Sequence, residues 1–296
     1  MIASTVLRLA IASVSSSMAL TFGTIAEAGQ PPALPIPMAA ATPTAPPQAA
    51  DPCGGNARLL ATLNRPTIGF SVCAVPPGSV VLEEGYQINV RRGPDTGVAV
   101  QYPQGFERLG LSPRLELDIV GPNLNRSRSS AGDSRGLSDM GLGFKYEFAP
   151  KGRFTYAVDG LLTAPTGSGG FSAGGPTQTL NLDISYALTP AIALGTTLSG
   201  LAGGGVRADG SLGRFAAFDP SLVITAQMPN AYQFYAELAG QSRVSPDEGG
   251  RAFVDFGVQK LIGPCFELDL EEGIGFTPVQ GSRFTYTGLG FGVRLR

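Results

Sequence analysis

Charged side chains recur at every second position in several stretches of this chain. In RLELDI (114–119), apolar residues alternate with Glu116 and Asp118. Successive side chains of a β-strand point to opposite faces, so this spacing gathers the charges on one face and the apolar groups on the other. Such a face could pair its own charges, contact polar solutes or bind a cation.

The same alternation over the rest of the chain predicts a network of charged side chains facing one interior. Its predicted members are Arg108, Glu116, Asp118, Asp139, Lys145, Asp159, Asp183, Glu237, Asp255, Glu267, Asp269 and Arg294. Further charges on this face are Glu83, Asp219, Arg243 and Glu271. These groups either pair with one another and fill the interior, because unpaired buried charge is costly, or contact a solute. Their acidic excess favours cations or neutral polar solutes over anions.

Three acidic residues of this face, Glu267, Asp269 and Glu271, offer the oxygen ligands that Ca²⁺ prefers. A solvated wall or rim without a metal is the simpler interpretation of the same spacing. We therefore predict no metal and no cofactor.

Enzymatic chemistry lacks its usual components. GFSAG (170–174) matches the G-x-S-x-G pattern, but the chain contains no His that could act as the base for Ser172. PTGSGG (165–170) lacks the Lys-Ser/Thr ending of a phosphate-binding loop. Three Cys without His do not make a zinc site, so the sequence predicts a protein that is not an enzyme.

Cysteine usage agrees with an exported protein. Cys53 and Cys73 bracket a short segment and are the candidate disulfide pair, which leaves Cys265 unpaired. The pairing rests on short spacing, since sequence alone does not fix connectivity.

The strands that carry these charges follow one pattern. LSDMGLGFKYEF (137–148) and the C-terminal FTYTGLGFGVRLR (284–296) alternate throughout, and the latter places Phe284 and Tyr286 on the same face as Arg294. In the first strand, Val81 and Glu84 fall on the wrong faces. About twelve such segments reach the C-terminus, most near the roughly 9–11 residues of a tilted membrane strand.

The connections alternate between short and long. Short ones are 112–113, 149–153, 189–190, 228–230 and 261–264, and long polar or glycine-rich ones are 123–136, 165–178, 203–213 and 242–250. This asymmetry predicts an all-β fold, a transmembrane antiparallel β-barrel of about 12 strands with short periplasmic turns and longer extracellular loops. A soluble β-sandwich would alternate too, but the concentration of charge on one face favours the barrel. Pro103 interrupts one predicted strand.

The first part of the chain reads as targeting and linker sequence. Residues 1–28 carry Arg8, an apolar stretch and small residues before a cleavage site after Ala28, which predicts a cleavable signal peptide rather than a membrane anchor. Residues 29–77 predict a Pro/Ala-rich linker (29–51) and a small Cys-containing periplasmic segment (52–77). Residues 78–296 are the predicted barrel.

Composition and charge define the predicted surroundings. The net charge of -2 argues against a nucleic-acid partner. No apolar run after the signal peptide is long enough for a spanning helix, so strands must carry any membrane role. The predicted location is the bacterial outer membrane. The predicted partners are its lipid, a small-molecule solute and, during biogenesis, the barrel-assembly machinery.

Four motifs in order also carry a family resemblance. They are VPPGSVVLEEGY (75–86), RLGLSPRLELDI (108–119), GLSDMGLGFKYEF (136–148) and TAPTGS (163–168). Their succession resembles the outer-membrane transporters grouped as the phenol-degradation MetA-pathway family, over about residue 66 to the end. The matching residues are Glu84, Gly85, Tyr86, Arg108, Gly110, Glu116, Gly136, Asp139, Gly143, Lys145, Tyr146, Pro165, Thr166 and Gly167.

The resemblance implies passage or binding of small, often aromatic, compounds at the outer membrane. We therefore expect an outer-membrane channel or transporter for small compounds, aromatic or hydrophobic ones among them. The alternative is a structural or adhesive barrel whose lumen is plugged by the charge network.

Overall fold

The computed structural model describes residues 53, 58–93, 96–130, 132–207, 209–275 and 283–295. The predicted signal peptide and the Pro/Ala-rich linker lie outside the described residues. From Val80 onward, nearly all of the described chain belongs to one antiparallel sheet.

The elements are short before Val80 and long after it. Helix α1 spans Leu59–Thr62, and the strands are β1 (Val80–Arg92), β2 (Gly97–Tyr102), β3 (Phe106–Ser112), β4 (Leu115–Val120), β5 (Leu124–Ser129), β6 (Gly132–Leu137), β7 (Met140–Glu147), β8 (Phe154–Ala164), β9 (Thr177–Ala187), β10 (Ile192–Val206), β11 (Leu212–Met228), β12 (Tyr232–Arg243), β13 (Gly249–Ile262), β14 (Phe266–Gly275) and β15 (Arg283–Leu295). Single 3₁₀ turns lie at Gly169–Phe171 and Pro229–Ala231. None of the helices within the described residues has the length and apolar character to cross a membrane.

The sheet closes on itself. β15 pairs with β1 along its whole length, from Val80 opposite Leu295 to Arg92 opposite Arg283. β2 continues as β3, β4 as β5 and β6 as β7, so the wall has twelve strands. Closure leaves no free edge around the ring formed by β1, β3, β4 and β7–β15, as a sheet in hydrocarbon requires.

The break between β2 and β3 lies at Pro103, where the sequence predicted one. Proline has no backbone N–H to donate to the ladder. Here Gly85 of β1 donates its own N–H to the Pro103 carbonyl. Below the break β1 pairs with β3, and above it β1 pairs with β2, so the wall continues past the interruption.

The barrel is polar inside and apolar outside. Leu142 and Phe144 of β7 are 52% and 51% exposed on the outer surface, whereas Arg108 and Lys145 are completely buried in the interior. A soluble sandwich would show the reverse. The predicted fold class, a closed antiparallel membrane-type barrel of about 12 strands, is confirmed.

Outward-facing aromatic rings concentrate at the end of the barrel that carries the short turns, on or next to β7–β9, β12, β14 and β15, and we call this end the short-turn end. They are Tyr146, Phe148, Phe154, Tyr156, Tyr186, Tyr232, Phe234, Phe266 and Phe291. Neighbouring rings touch: the centroids of Phe154 and Tyr186 lie 4.7 Å apart. Such a girdle marks the level of the lipid headgroups.

The opposite, long-loop end has shorter connections than the sequence predicted. The predicted loop 123–136 is largely the hairpin of β5 and β6. The predicted loop 203–213 reduces to residues 207–211, because β10 and β11 extend on both sides. Adjacent antiparallel strands can continue their hydrogen-bond ladder beyond the lipid-facing apolar belt. Polar composition in these stretches was therefore not a reliable sign of a loop. Arg128 pairs with Asp133 at 3.1 Å on this exposed hairpin.

We predict that position along the strand decides the cost of an outward charge. Leu289, in the middle of β15 and 59% exposed, should lose about 2–4 kcal/mol of unfolding free energy on substitution by Arg, because the charge enters hydrocarbon. Leu111→Arg, near a short turn and 47% exposed, should cost about 0–1 kcal/mol. Urea unfolding in phospholipid, followed by circular dichroism, measures both. Equal small costs would show that this surface does not contact hydrocarbon.

Candidate functional site: the plugged lumen

Residues 58–78 lie inside the ring of strands at its short-turn end, and we call this segment the plug. Its apolar side chains Leu59, Leu63 and Val75 pack against Val81 of β1. In the sequence, Val81 is an apolar residue on the polar face of the first strand. The packing explains this exception, since Val81 points into the lumen toward an apolar partner. The sequence predicted a periplasmic element here, whereas the described residues of the segment contact the lumen wall.

Cys53 and Cys73 form a disulfide. Both are buried, and they pack with Val72 of the plug and Ala157 of β8. The bond ties the preceding chain to the middle of the plug. Cys265, in the turn between β13 and β14, is a free thiol.

Most of the plug has irregular backbone, so its N–H groups need acceptors from elsewhere. Glu83 Oε2 accepts from the backbone nitrogens of residues 64 and 65, at 2.8 and 2.7 Å. Glu237 accepts from residues 68 and 69, at 2.7 and 2.8 Å through its two oxygens. Each carboxylate thus holds two successive amides, in the charge-assisted manner that makes such bonds strong.

The other side of the plug is held in the same way. Ala74 donates its N–H to Glu147 Oε2 at 2.9 Å, and Val75 donates to Glu116 Oε2 at 2.6 Å. Four glutamates of the wall therefore accept six backbone hydrogen bonds from the plug. The acidic excess of the lumen is in part a set of acceptors for this chain segment.

Arg108 is the cation around which the wall carboxylates assemble. Its Nη1 lies 3.0 Å from Glu83 Oε1, and its Nη2 lies 2.7 Å from Glu116 Oε1. Asp118 Oδ1 is 3.8 Å from Nε. One guanidinium therefore orients two of the glutamates that hold the plug, and compensates their charge in a buried setting.

The same cation also contacts the plug directly. Arg108 donates to the backbone carbonyl of Thr62 and, at 3.2 Å, to that of Cys73. Lys145 adds a second link, with Nζ 3.3 Å from Asn64 Oδ1. These two wall cations therefore bind the plug's acceptors, while the glutamates bind its donors.

The rest of the predicted network is distributed around the lumen in smaller contacts. Asp159 accepts from Asn181, Asp183 from Thr197, Asp255 from Tyr286 and Asp269 from Arg65, and Arg294 donates to Thr62. Glu267 is buried on the same face. Among the described residues, ion pairs of the lumen centre on Arg108 and Arg65, and other predicted members make separate hydrogen bonds to neutral groups.

Asp139 lies apart from these regions. It occupies the junction between β6 and β7 and accepts the backbone N–H groups of Gly167 and Ala173, both at 2.8 Å. It therefore fixes the 165–176 loop at the long-loop end and is not brought to Lys145. The alternation extended across this junction placed it too deep in the lumen.

Aromatic side chains line the lumen toward the long-loop end. Phe253 of β13 and Phe284 and Tyr286 of β15 form edge-to-face pairs, with ring centroids 5.8 and 6.2 Å from Phe253. The Arg251 guanidinium lies 5.3 Å from the Phe284 ring centre. We call these four residues the aromatic cluster.

Glycine makes this cluster possible. β14 separates β13 from β15, and a Cβ at its Gly273 or Gly275 would collide with the Tyr286 or Phe284 ring. The rings therefore lie across β14 and reach β13, where the Tyr286 hydroxyl donates to Asp255 at 2.7 Å. Alternation in the sequence places Phe284 and Tyr286 on the polar face, where aromatic residues are the exception. That exception was the sequence signal for the cluster.

Within the described part of the chain, no group of three or more Cys, Asp or Glu side chains is arranged to hold a metal ion. Asp269 and Glu271, two of the residues considered as Ca²⁺ ligands, instead face Arg65, at 3.1 and 4.0 Å.

The fold is shared with known outer-membrane β-barrels. The COG4313 outer membrane channel from Pseudomonas putida F1 superposes with a TM-score of 0.61 at 14% identity, over 75% of this chain and 97% of that one. The NanC porin superposes with a TM-score of 0.50 at 11% identity, over 72% and 100%. No family model matches the chain, and no curated protein matches it significantly. At these identities the similarity establishes the fold.

We predict that Arg108→Met destabilises the barrel by about 3–5 kcal/mol, because buried carboxylates lose their cation. Arg108→Met combined with Glu116→Gln should recover part of that loss, since one of the uncompensated carboxylates is neutralised while an acceptor for the Val75 N–H is kept. Urea unfolding followed by circular dichroism suits a chain without Trp.

A matched control for this substitution is Arg128→Met, which removes the exposed pair with Asp133 and should cost about 0–1 kcal/mol. A loss at Arg108 no larger than at Arg128 would contradict the role of Arg108 as the central cation.

Proposed function

We propose that this protein is an outer-membrane channel for small compounds, aromatic ones among them, and that the plug closes it at the periplasmic side. The observation that carries the proposal is the plug itself. An eight-stranded barrel is filled by its own side chains, whereas this wall encloses a separate segment of chain. That segment is held by polar contacts and by apolar packing, and its described residues belong to no strand of the sheet, so the wall remains complete without it.

Orientation follows from the two ends of the barrel. Short turns face the periplasm in outer-membrane barrels, so in this proposal the plug lies on the periplasmic side and the aromatic cluster lies toward the outside. The plug leads into β1 through 76–78, at the short-turn end. The segment before it would therefore be periplasmic, in agreement with export by a cleavable signal peptide and assembly by the barrel-assembly machinery.

The aromatic cluster supports the solute class. Phe253, Phe284 and Tyr286 present ring edges and faces to the lumen, and Arg251 adds a guanidinium that stacks on aromatic groups. A small aromatic solute finds ring partners here that a sugar does not use as well. The motif resemblance to transporters of the phenol-degradation MetA-pathway family points to the same class.

The alternative is a structural or adhesive barrel, and one observation favours it. The Arg108 region is fully buried and binds both wall and plug, which is what a permanent closure would need. The two functions differ in one measurable respect, since only a channel passes current as the complete chain, whereas a permanent closure conducts only after the plug is deleted.

We predict that deleting residues 58–75 raises single-channel conductance several-fold and makes the pore cation-selective. The deletion leaves Glu83, Glu116 and Glu237 without the plug's N–H donors, and rings of carboxylates attract cations. Planar-bilayer recording in a salt gradient measures both quantities. Ile68→Ala is the control, because it preserves every backbone contact of the plug.

A complete chain that never conducts, beside a deleted protein that folds, shown by heat-modifiable migration, and does conduct, would favour the structural alternative. A current without cation preference would keep the channel but reject the assigned role of the glutamates.

We predict that Phe253→Ala/Phe284→Ala lowers the flux of phenol several-fold more than that of a neutral sugar of similar size, because the ring contacts are lost. Liposome swelling with the plug-deleted protein gives the two rates. Phe256→Ala, an outward residue of the same strand that is 48% exposed, is the matched control. Equal changes for both solutes would show that the cluster does not select.

A further inference from the structure

The Arg65 side chain of the plug lies in a recess of the wall, between β14 and the break at Pro103. Its Nη2 is 3.1 Å from Asp269 Oδ1, and its Nε is 3.4 Å from Oδ2 of the same carboxylate. Nη1 donates to Gln104 Oε1 at 2.8 Å. All three guanidinium nitrogens thus have an acceptor, and Glu271 lies 4.0 Å away as a second negative charge.

The floor of this recess is backbone. Gly85 of β1 and Gly290 of β15 face each other directly where the barrel closes. A Cβ on either glycine would collide with the Arg65 guanidinium. The flat cation therefore lies on two glycines while its edge meets Asp269 and Gln104. We call these four residues and Glu271 the guanidinium socket.

A salt bridge alone does not require this shape. A carboxylate binds any cation. The socket adds a flat floor and the Gln104 amide oxygen, which accepts from a second nitrogen of the same cation. These two features match a planar guanidinium better than a tetrahedral ammonium. The shape belongs to the wall, because every residue of the socket lies in the barrel. The cation belongs to the plug.

Removing Arg65 from the socket would leave the carboxylates of Asp269 and Glu271 without a neighbouring cation. The Asp269 side chain is completely buried and that of Glu271 is 5% exposed. Uncompensated charge at such positions is strongly unfavourable. A cation from solution that fits the socket can therefore stabilise the folded barrel when Arg65 is absent, in competition with protonation of the two carboxylates.

We infer that the guanidinium socket is a lumen binding site for guanidinium-bearing cations, which Arg65 occupies intramolecularly in the plugged state. Arg65 then acts as a built-in competitor, and a soluble guanidinium compound enters only when the plug or its arginine is withdrawn. This site does not depend on whether the barrel conducts.

The test is chemical rescue of Arg65→Ala in the otherwise complete chain, refolded in detergent. The variant should unfold at a lower temperature than the wild type. Methylguanidinium at about 10 mM should restore part of the difference, because a ligand that binds only the folded state stabilises it. Methylammonium at the same concentration should not. The wild type should respond to neither, since its socket is filled. Heat-modifiable migration gives the unfolding midpoints.

Two further variants separate the socket from general electrostatics. Arg65→Ala/Asp269→Asn removes the principal acceptor, and Arg65→Ala/Gly290→Ala keeps every charge but fills the floor. Both should lose the response to methylguanidinium. If Gly290→Ala leaves the response intact, or if methylammonium rescues equally well, the inference of a shaped site is overturned.

Failure of Arg65→Ala to refold alone would not end the test. The yield of heat-modifiable protein is then scored with each cation in the refolding buffer. Selective recovery with methylguanidinium supports the site, and equal yields overturn it. Because neither readout involves current, a barrel that proves non-conducting leaves this result unaffected.

Discussion

An irregular chain can reside inside a β-barrel only if something other than a neighbouring strand accepts its backbone N–H groups. In this protein carboxylates of the wall do so: Glu83 and Glu237 each hold two successive amides, and Glu116 and Glu147 hold one each. Arg108 in turn fixes Glu83 and Glu116. The position of the plug and part of the acidity of the lumen follow from this requirement.

The lumen is thereby divided along its axis. Toward the short turns it is occupied by chain and by paired ions, and toward the long loops it presents the aromatic cluster. The two halves use the same strands, since β13 and β15 each contribute to both. Alternation decides only which side chains face lipid and which face the lumen. The lumen residues can therefore differ along the barrel axis, so that one wall carries polar contacts to the plug at one end and aromatic rings at the other.

Alternation predicted the wall well, because a period of two residues is a local property of each strand. It predicts a lumen position for Arg108, Glu116, Lys145, Glu237 and Asp269 without reference to their contacts. It failed where the period stops: at Asp139, which lies between two strands, and in polar stretches that prolong the hairpins.

The plug could not be predicted by the same means. It has no period, and its acceptors are distant in sequence: Gly69 and Glu237 are 168 residues apart. Only Val81, an apolar residue on a polar face, indicated that something apolar lay inside the barrel. The socket for Arg65 left no such trace, because a glycine on each of two adjacent strands is unremarkable until the strands are paired.

The wall glutamates bind the plug through its main chain, and this has a consequence for how the protein can diverge. The bonds to the glutamates do not depend on which side chain the donor residue carries, so they persist when a residue such as Ile68 is substituted. Asn64, Arg65, Cys73 and Val75 are constrained separately, by their own side-chain contacts. The restriction falls on proline at the amide-donating positions. The prolines present, Pro66, Pro76 and Pro77, are not among the residues whose amides meet a wall carboxylate. Relatives that vary residues such as Ile68 and keep the glutamates would therefore hold this segment in the same way.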